Sequence, residues 1–296
     1  MPKSVIDQFL GYLRYERNRS ELTVGRYEMS LRDFEAYFQS LDSGLSWASV
    51  DADVIRGWME SLMDRGNKAS TVNTALSALR SFYRFALARQ LVSRDPAHSI
   101  TGPRKSKPLP QFMREDEMDC LLDREEWGDD YKDVRARTIL ILLYEAGLRR
   151  GELTGLNDSD VDFEAGQLKV IGKRNKQRIV PFGNELAMQL LHYMQVRNEA
   201  TGNTGGALFV GKEGQRMTGQ QVYQIVKENL SRVTTMNKRS PHVLRHSFAT
   251  AMLNHGAGLE SVRQLLGHES LETTEIYTHT TFEQLKRVYK DAHPRG

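Results

Sequence analysis

The stretch VDFEAGQLKVIGKRNKQRIVP, Val161–Pro181, decides the fold class. Val161 to Phe163 reads as one strand and Glu164-Ala165-Gly166 as a turn. Leu168 to Ile171 reads as a second strand. Gln177 to Val180 reads as a third, stopped by Pro181, which cannot donate to a ladder. Strands joined by such short turns pair antiparallel. The turn between the last two strands, GKRNK (Gly172 to Lys176), projects the basic side chains of Lys173, Arg174 and Lys176. The rest of the chain carries its apolar residues at helical spacing. The expectation is therefore a mainly α chain with a small antiparallel β-sheet, an α+β fold.

Upstream of the strands, Thr138 to Tyr144 is a strongly apolar run ending at Gly147, and Met118, Leu121 and Leu122 share a helical stripe. Cys120 reads as a small buried hydrophobe beside them. It is the only cysteine, so an intrachain disulfide is excluded and a reducing cytosol fits. The N-terminal third predicts a bundle of about four helices. Ile6, Phe9, Leu10 and Leu13 open it. Tyr27, Leu31, Phe34 and Phe38 follow, with Thr23 as the expected N-cap. Asp51 is expected to cap a helix carrying Ile55, Trp58 and Leu62, and Ser70 one carrying Val72, Leu76, Leu79 and Tyr83. The stretch SITGPRKSKPLPQ (Ser99 to Gln111) holds three prolines and cannot be helical. The expected division is a helical domain over 1–98, a basic Pro-rich linker over 99–111, and a second domain over 112–296. Downstream of the sheet the pattern is helical to the end. Phe282, Leu285 and Val288 form a last apolar stripe, in which Tyr289 reads as a packing residue.

The chain has 296 residues, 39% hydrophobic and 27% charged, with a formal net charge of +3. No apolar run approaches the roughly 20 residues that span a bilayer. The start lacks the apolar block and cleavage site of a signal peptide. Arg104, Lys105 and Lys107 crowd the linker, and Lys169, Lys173, Arg174, Lys176 and Arg178 crowd one short segment without an acidic residue. Such clusters suit a polyanion, and Lys105, Arg174 and Lys176 are candidate DNA contacts. Either cluster reads equally as solvated surface.

Two further segments carry chemistry. In SPHVLRHSF (Ser240 to Phe248), serine before proline is a good helix start. His242 and Arg245 then share a face. An imidazole can handle a proton there while the guanidinium grips a phosphate oxygen, close to a helix N-terminus that favours anions. By itself the pair is a weak signal and reads more readily as incidental charge on an exposed helix. His242 and His246 have a metal-ligand spacing, but Val243 stands where a zinc hydrolase carries glutamate. In EAGLRRGELTGL (Glu145 to Leu156), a glycine turn leads into a helix exposing Arg149, with Glu152 spaced to orient it.

Taken in order, AGLRRGELTGL, VIGKRNKQRIVP, HVLRHSFAT and LLGHESLETTEIYTH resemble the tyrosine recombinase family, also called the phage integrase family. STVNTALSALRSFYRFAL (Ser70 to Leu87) is similar to that family's core-binding domain, and the length resembles the Xer subgroup. The resemblance implies that Arg149 and Arg245 hold the non-bridging oxygens of the scissile phosphate. It implies that Lys173 protonates the departing 5′ oxygen and that His242 is the general acid/base. His268 would donate a hydrogen bond to the phosphate, and Tyr277 would be the nucleophile that forms a 3′-phosphotyrosine. The family often has glycine after the lysine; here Arg174 stands there, with Asn175 able to take a left-handed turn position and Lys176 as a nearby second lysine.

The resemblance also implies a metal- and ATP-independent enzyme without cofactors, working on duplex DNA through a Holliday junction. Four protomers would act on two sites as a homo- or hetero-tetramer. In the Xer setting the enzyme would resolve chromosome or plasmid dimers at cell division, in the cytoplasm on the nucleoid, away from the membrane. Its partners there would be a paralogous recombinase and a division-site DNA translocase. Three alternatives stay open: a mobile-element integrase with the same chemistry, a type IB topoisomerase, and a DNA-binding protein that keeps the fold without catalysis.

Overall fold

The computed structural model describes residues 4–104, 111–123, 127–172, 176–202, 204–267 and 282–295. Lys105, Lys173, Arg174, His268 and Tyr277 lie outside these described residues. The chain divides into two compact units, Met1–Pro108 and Leu109–Gly296.

The first unit is a helical bundle. Helix α1 (Val5–Gly11) runs into a π-turn over Tyr12–Glu16, followed by α2 (Glu21–Leu41), α3 (Ala52–Asp64) and α4 (Ala69–Ala88). The apolar stripes meet in one core, where Phe9, Phe34, Trp58 and Phe82 are completely buried. Asp51 caps α3, its carboxylate accepting from the backbone N–H of Asp53 at 2.9 Å and of Val54 at 3.0 Å. Helix α2 starts earlier than expected: Ser20, not Thr23, is its N-cap, and its hydroxyl accepts from the Thr23 N–H. Helix α4 likewise begins at Ala69 behind Lys68, which leaves Ser70 inside the first turn. Asp33 ties α2 to α3, accepting from Trp58 Nε1 at 2.7 Å and from both Nη atoms of Arg65.

The start of the expected linker is held on this bundle. Ile100 is 2% exposed within the bundle core, Arg80 donates to the carbonyls of Ala97 and Ile100, and Asn73 donates to Pro103 O at 2.8 Å. The prolines forbid helix, yet one apolar side chain and three paired carbonyls suffice to dock an extended strip.

In the second unit α5 (Glu115–Leu122) precedes α6 (Tyr131–Glu145) and α7 (Arg150–Gly155). Strands β1 (Val161–Asp162), β2 (Gln167–Ile171) and β3 (Gln177–Pro181) form an antiparallel sheet in that order, with Leu168 opposite Val180 and Val170 opposite Arg178. Then follow α8 (Asn184–Thr201), α9 (Gly219–Val233), α10 (Pro241–Asn254), α11 (Leu259–Leu266) and α12 (Phe282–Ala292). Every residue of α6 from Thr138 to Glu145 is buried, so this helix is the spine of the unit. Cys120 corrects the sequence reading. It is exposed, because neighbouring positions on a helix differ by about 100° and Leu121 and Leu122 take the inner face.

Helix α12 lies on its own unit. Tyr289 and Ala292 are buried against Phe248, Met252, Leu265 and Leu266, and Lys286 donates to Ala165 O at 2.8 Å. Beyond it Arg295 pairs with Asp119, Asp123 and Glu185. No helix among the described residues is long and apolar enough to cross a membrane.

Truncating the docked strip tests its place in the bundle. Ile100→Ala is expected to lower the stability of the first unit by about 2–5 kcal/mol. Urea unfolding of the full chain, followed by tryptophan fluorescence, reads this through Trp47 and Trp58. A shift below about 1 kcal/mol would mean the strip contributes little to that core.

Candidate active site

The buried helix α6 fixes the first arginine. The helix ends at Glu145, and Gly147 turns the chain with φ of 57°. A Cβ at Gly147 would stand 2.6 Å from a ring carbon of Phe248 on α10 and 3.0 Å from Leu266 Cδ2 on α11. Only glycine accepts both the left-handed backbone and that approach. Leu148 is then buried, and Arg149 becomes the N-cap residue of α7.

Glu152, three residues on, folds back as half of a capping box. Its Oε2 accepts from the Arg149 backbone N–H at 2.7 Å, and its Oε1 accepts from Arg149 Nη1 at 2.7 Å. The orienting role expected from the spacing is thus met twice. Glu152 also receives a second arginine in a bidentate pair, Arg178 Nη1 on Oε1 and Nη2 on Oε2, each at 2.8 Å. A third, Arg245 on α10, brings its Nη1 to 3.9 Å from Oε2.

These three guanidiniums meet the C-terminus of α11. A helix end leaves carbonyls without intrahelical partners. Here Leu265 O accepts from Arg178 Nε at 3.0 Å, Leu266 O from Arg245 Nη2 at 2.5 Å, and Gly267 O from Arg149 Nη2 at 3.1 Å. The negative end of the helix dipole adds to each contact. Arg245 also donates to Gly147 O at 2.6 Å, so the glycine turn, α10 and α11 lock together.

The electrostatics follow from burial. Glu152 is only 5% exposed, which by itself would raise its pKa; Arg178 and then Arg149 more than reverse this and hold it at about 2. Burial, with the like charges of Arg149 and Arg178, pushes Arg245 down to about 9 against the opposing pull of Glu152, and it stays charged at neutral pH. His242 sits at the first turn of α10, behind Ser240 at the N-cap and Pro241. Desolvation lowers its pKa below 6.5, and His246, Arg245, Arg150 and Arg149 push the same way, so the neutral imidazole dominates at pH 7.

Arg149 and Arg245 are thereby brought to one place, around Glu152 and the end of α11, and His242, three residues before Arg245 on α10, lies near enough to feel the charge of both. Gly267 is the last described residue before His268, and Gly172 and Lys176 flank Lys173 and Arg174, all four site candidates with Tyr277 lying outside the described residues. Gly172 N–H donates to Lys176 O at 2.7 Å, which closes the hairpin base beside Glu152. Sequence reasoning counted Arg178 only as part of a basic cluster. Strand alternation held the signal: Arg178 shares a face with Val180, which is buried, and a charged side chain on a core face needs a partner.

Stability links to this carboxylate. Its pKa falls from 4.5 unfolded to about 2 folded. The folded state binds fewer protons in that window, so the stabilisation is present above pH 4.5 and disappears as pH falls toward 2. Glu152→Gln is expected to cost about 3–5 kcal/mol at pH 7. The gap to the parent protein should shrink as urea titrations are repeated from pH 5 downward. A gap independent of pH would assign the loss to packing.

The chain as a whole has known relatives. The Phage integrase family profile matches residues 111–284, and the Phage integrase, N-terminal SAM-like domain profile matches residues 6–90. A tyrosine recombinase XerC of Vibrio vulnificus is 39% identical over 292 residues, covering 98% of this chain and 91% of the relative. A tyrosine recombinase XerD of Oceanobacillus iheyensis is 35% identical, covering 100% of both. Among solved structures, the XerH site-specific recombinase bound to palindromic difH substrate shares the fold, with a TM-score of 0.71 at 23% identity over 95% of this chain and 83% of that one. The chain belongs to the phage integrase family, the tyrosine recombinases, and is a site-specific DNA strand-exchange enzyme.

Proposed function

We propose that this recombinase cuts and rejoins duplex DNA through Tyr277, with Arg149, Lys173, His242, Arg245 and His268 as its catalytic set. The observation that carries this reading is the convergence of Arg149 and Arg245 on the end of α11, two residues before the chain reaches His268. The phenolic oxygen of Tyr277 attacks the scissile phosphorus. The P–O5′ bond breaks, and Lys173 supplies the proton that the 5′ oxygen takes up. A phosphodiester bears one negative charge and its pentavalent transition state more, so two fixed guanidiniums stabilise the step that a metal supports elsewhere. Neutral His242 accepts the Tyr277 proton and returns it on religation. The 3′-phosphotyrosine conserves the bond, and resealing needs no ATP.

The same reading assigns the helical unit to gripping the DNA core site and the second unit to catalysis, with Lys105, Arg174 and Lys176 on the DNA. Four protomers work on two sites and pass through a Holliday junction. Similarity to relatives called XerC and XerD supports the housekeeping role. In it the enzyme resolves chromosome or plasmid dimers beside a paralogous recombinase and a division-site translocase.

A nicked duplex that traps cleavage tests the chemistry, its site recovered by binding selection from a random DNA pool. The parent protein is expected to give a covalent DNA adduct in EDTA, and Tyr277→Phe to bind the duplex without forming it. An adduct from Tyr277→Phe, or its loss in EDTA, overturns the mechanism. The rate of adduct formation should hold as pH is lowered to 6.5 and fall only below it, because His242 titrates below that value. A decline centred above 6.5 would remove His242 from the proton transfer.

A further inference from the structure

Three guanidiniums surround one carboxylate, and they do not share it equally. Arg178 commits its whole fork: Nη1 and Nη2 lie on the two oxygens of Glu152 and Nε on Leu265 O. Arg149 places one Nη on Glu152 and one on Gly267 O, and Arg245 places its two on the carbonyls of Gly147 and Leu266. A guanidinium has five N–H donors. Arg178 has spent all three of its nitrogens on protein groups. Among the described residues, Arg149 and Arg245 each engage only their two Nη atoms and leave Nε unused, the side chain of Arg149 being 27% exposed and that of Arg245 7%. The bidentate contact, the strongest form of this pair, therefore neutralises Glu152 with the one of the three arginines whose Nε, Nη1 and Nη2 all serve protein groups among the described residues.

We propose that Arg178 is a positioning residue for strand cleavage, the dedicated counter-ion of Glu152. It keeps the charges of Arg149 and Arg245 available to the scissile phosphate and anchors the last turn of α11 ahead of His268 and Tyr277. Without it the carboxylate turns fully to Arg149, its nearest cation, and withdraws that charge from the phosphate. The inference rests on the catalytic roles proposed above. It goes beyond them in assigning a task to a residue that touches neither DNA nor the reacting atoms.

The test compares two nicked duplexes, one with the natural phosphodiester and one with a neutral methylphosphonate at the scissile position. The methylphosphonate lacks the charged oxygen that the arginines serve. Arg178→Gln is expected to bind the duplex within about threefold of the parent protein, since other backbone contacts supply most of the affinity. Its adduct formation on the phosphodiester should slow by about a hundredfold or more, the scale of losing one transition-state donor. On the methylphosphonate the deficit should narrow to about tenfold or less, because less charge awaits neutralisation. Arg178→Lys keeps the charge without the fork and should fall between the two. It carries the comparison if thermal melting shows Arg178→Gln to be unfolded. An equal deficit on both substrates, or none on the phosphodiester, overturns the proposal. The parent protein and Tyr277→Phe run alongside: no adduct from the parent on the phosphodiester would instead overturn the catalytic reading, and this inference with it.

Discussion

Glu152 holds a buried carboxylate within reach of three guanidiniums, and the arrangement of the site depends on that contact. An unpaired charge at this depth would cost several kcal/mol. Paired, it draws the hairpin strand β3, the start of α7 and the first turns of α10 toward one point. The end of α11 completes the cluster by offering three carbonyls that its own helix cannot satisfy. Four segments far apart in sequence thus meet because each brings a group that cannot stay buried alone. The apolar core beneath, built on α6, brings these groups within reach but does not orient them.

Much of this could be read before the structure. Alternation in Val161–Pro181 predicted the three strands within a residue or two, and the run Thr138 to Tyr144 predicted the buried helix. The spacing of Arg149 and Glu152 predicted their pairing, because residues three apart on a helix start meet locally. The parts that escaped were long-range. Nothing local says that Leu265 O will meet a side chain 87 residues upstream, or that Arg178 will leave a basic cluster for a buried acid. The reading of Cys120 failed for a related reason, and the burial of Ile100 went unread. Burial depends on which face a neighbouring element covers, and an apolar residue among prolines or a cysteine beside leucines does not reveal that. The cap at Ser20 was missed by three residues, where Ser20 and Thr23 offer equivalent hydroxyls.

Gly147 shows how tightly the second unit is drawn. It sits where α6 stops, against Phe248 and Leu266, and its carbonyl holds Arg245. A single methyl group there would press on α10 and α11 together, which between them carry or tether all three arginines. The glycine is thus as much a part of the site's geometry as the charged residues, although it contributes no chemistry of its own.

The balance of charge at this centre has a consequence for the protein before it meets DNA. Among the described residues, Arg149 and Arg245 have no acidic neighbour but the carboxylate that Arg178 already satisfies. The empty enzyme therefore stores self-repulsion, and carries it as lowered stability. A polyanion relieves it on arrival. On the catalytic reading proposed above, the backbone of DNA supplies the counter-charge that the fold itself leaves out, so that part of the affinity for the substrate is repulsion removed from the free protein.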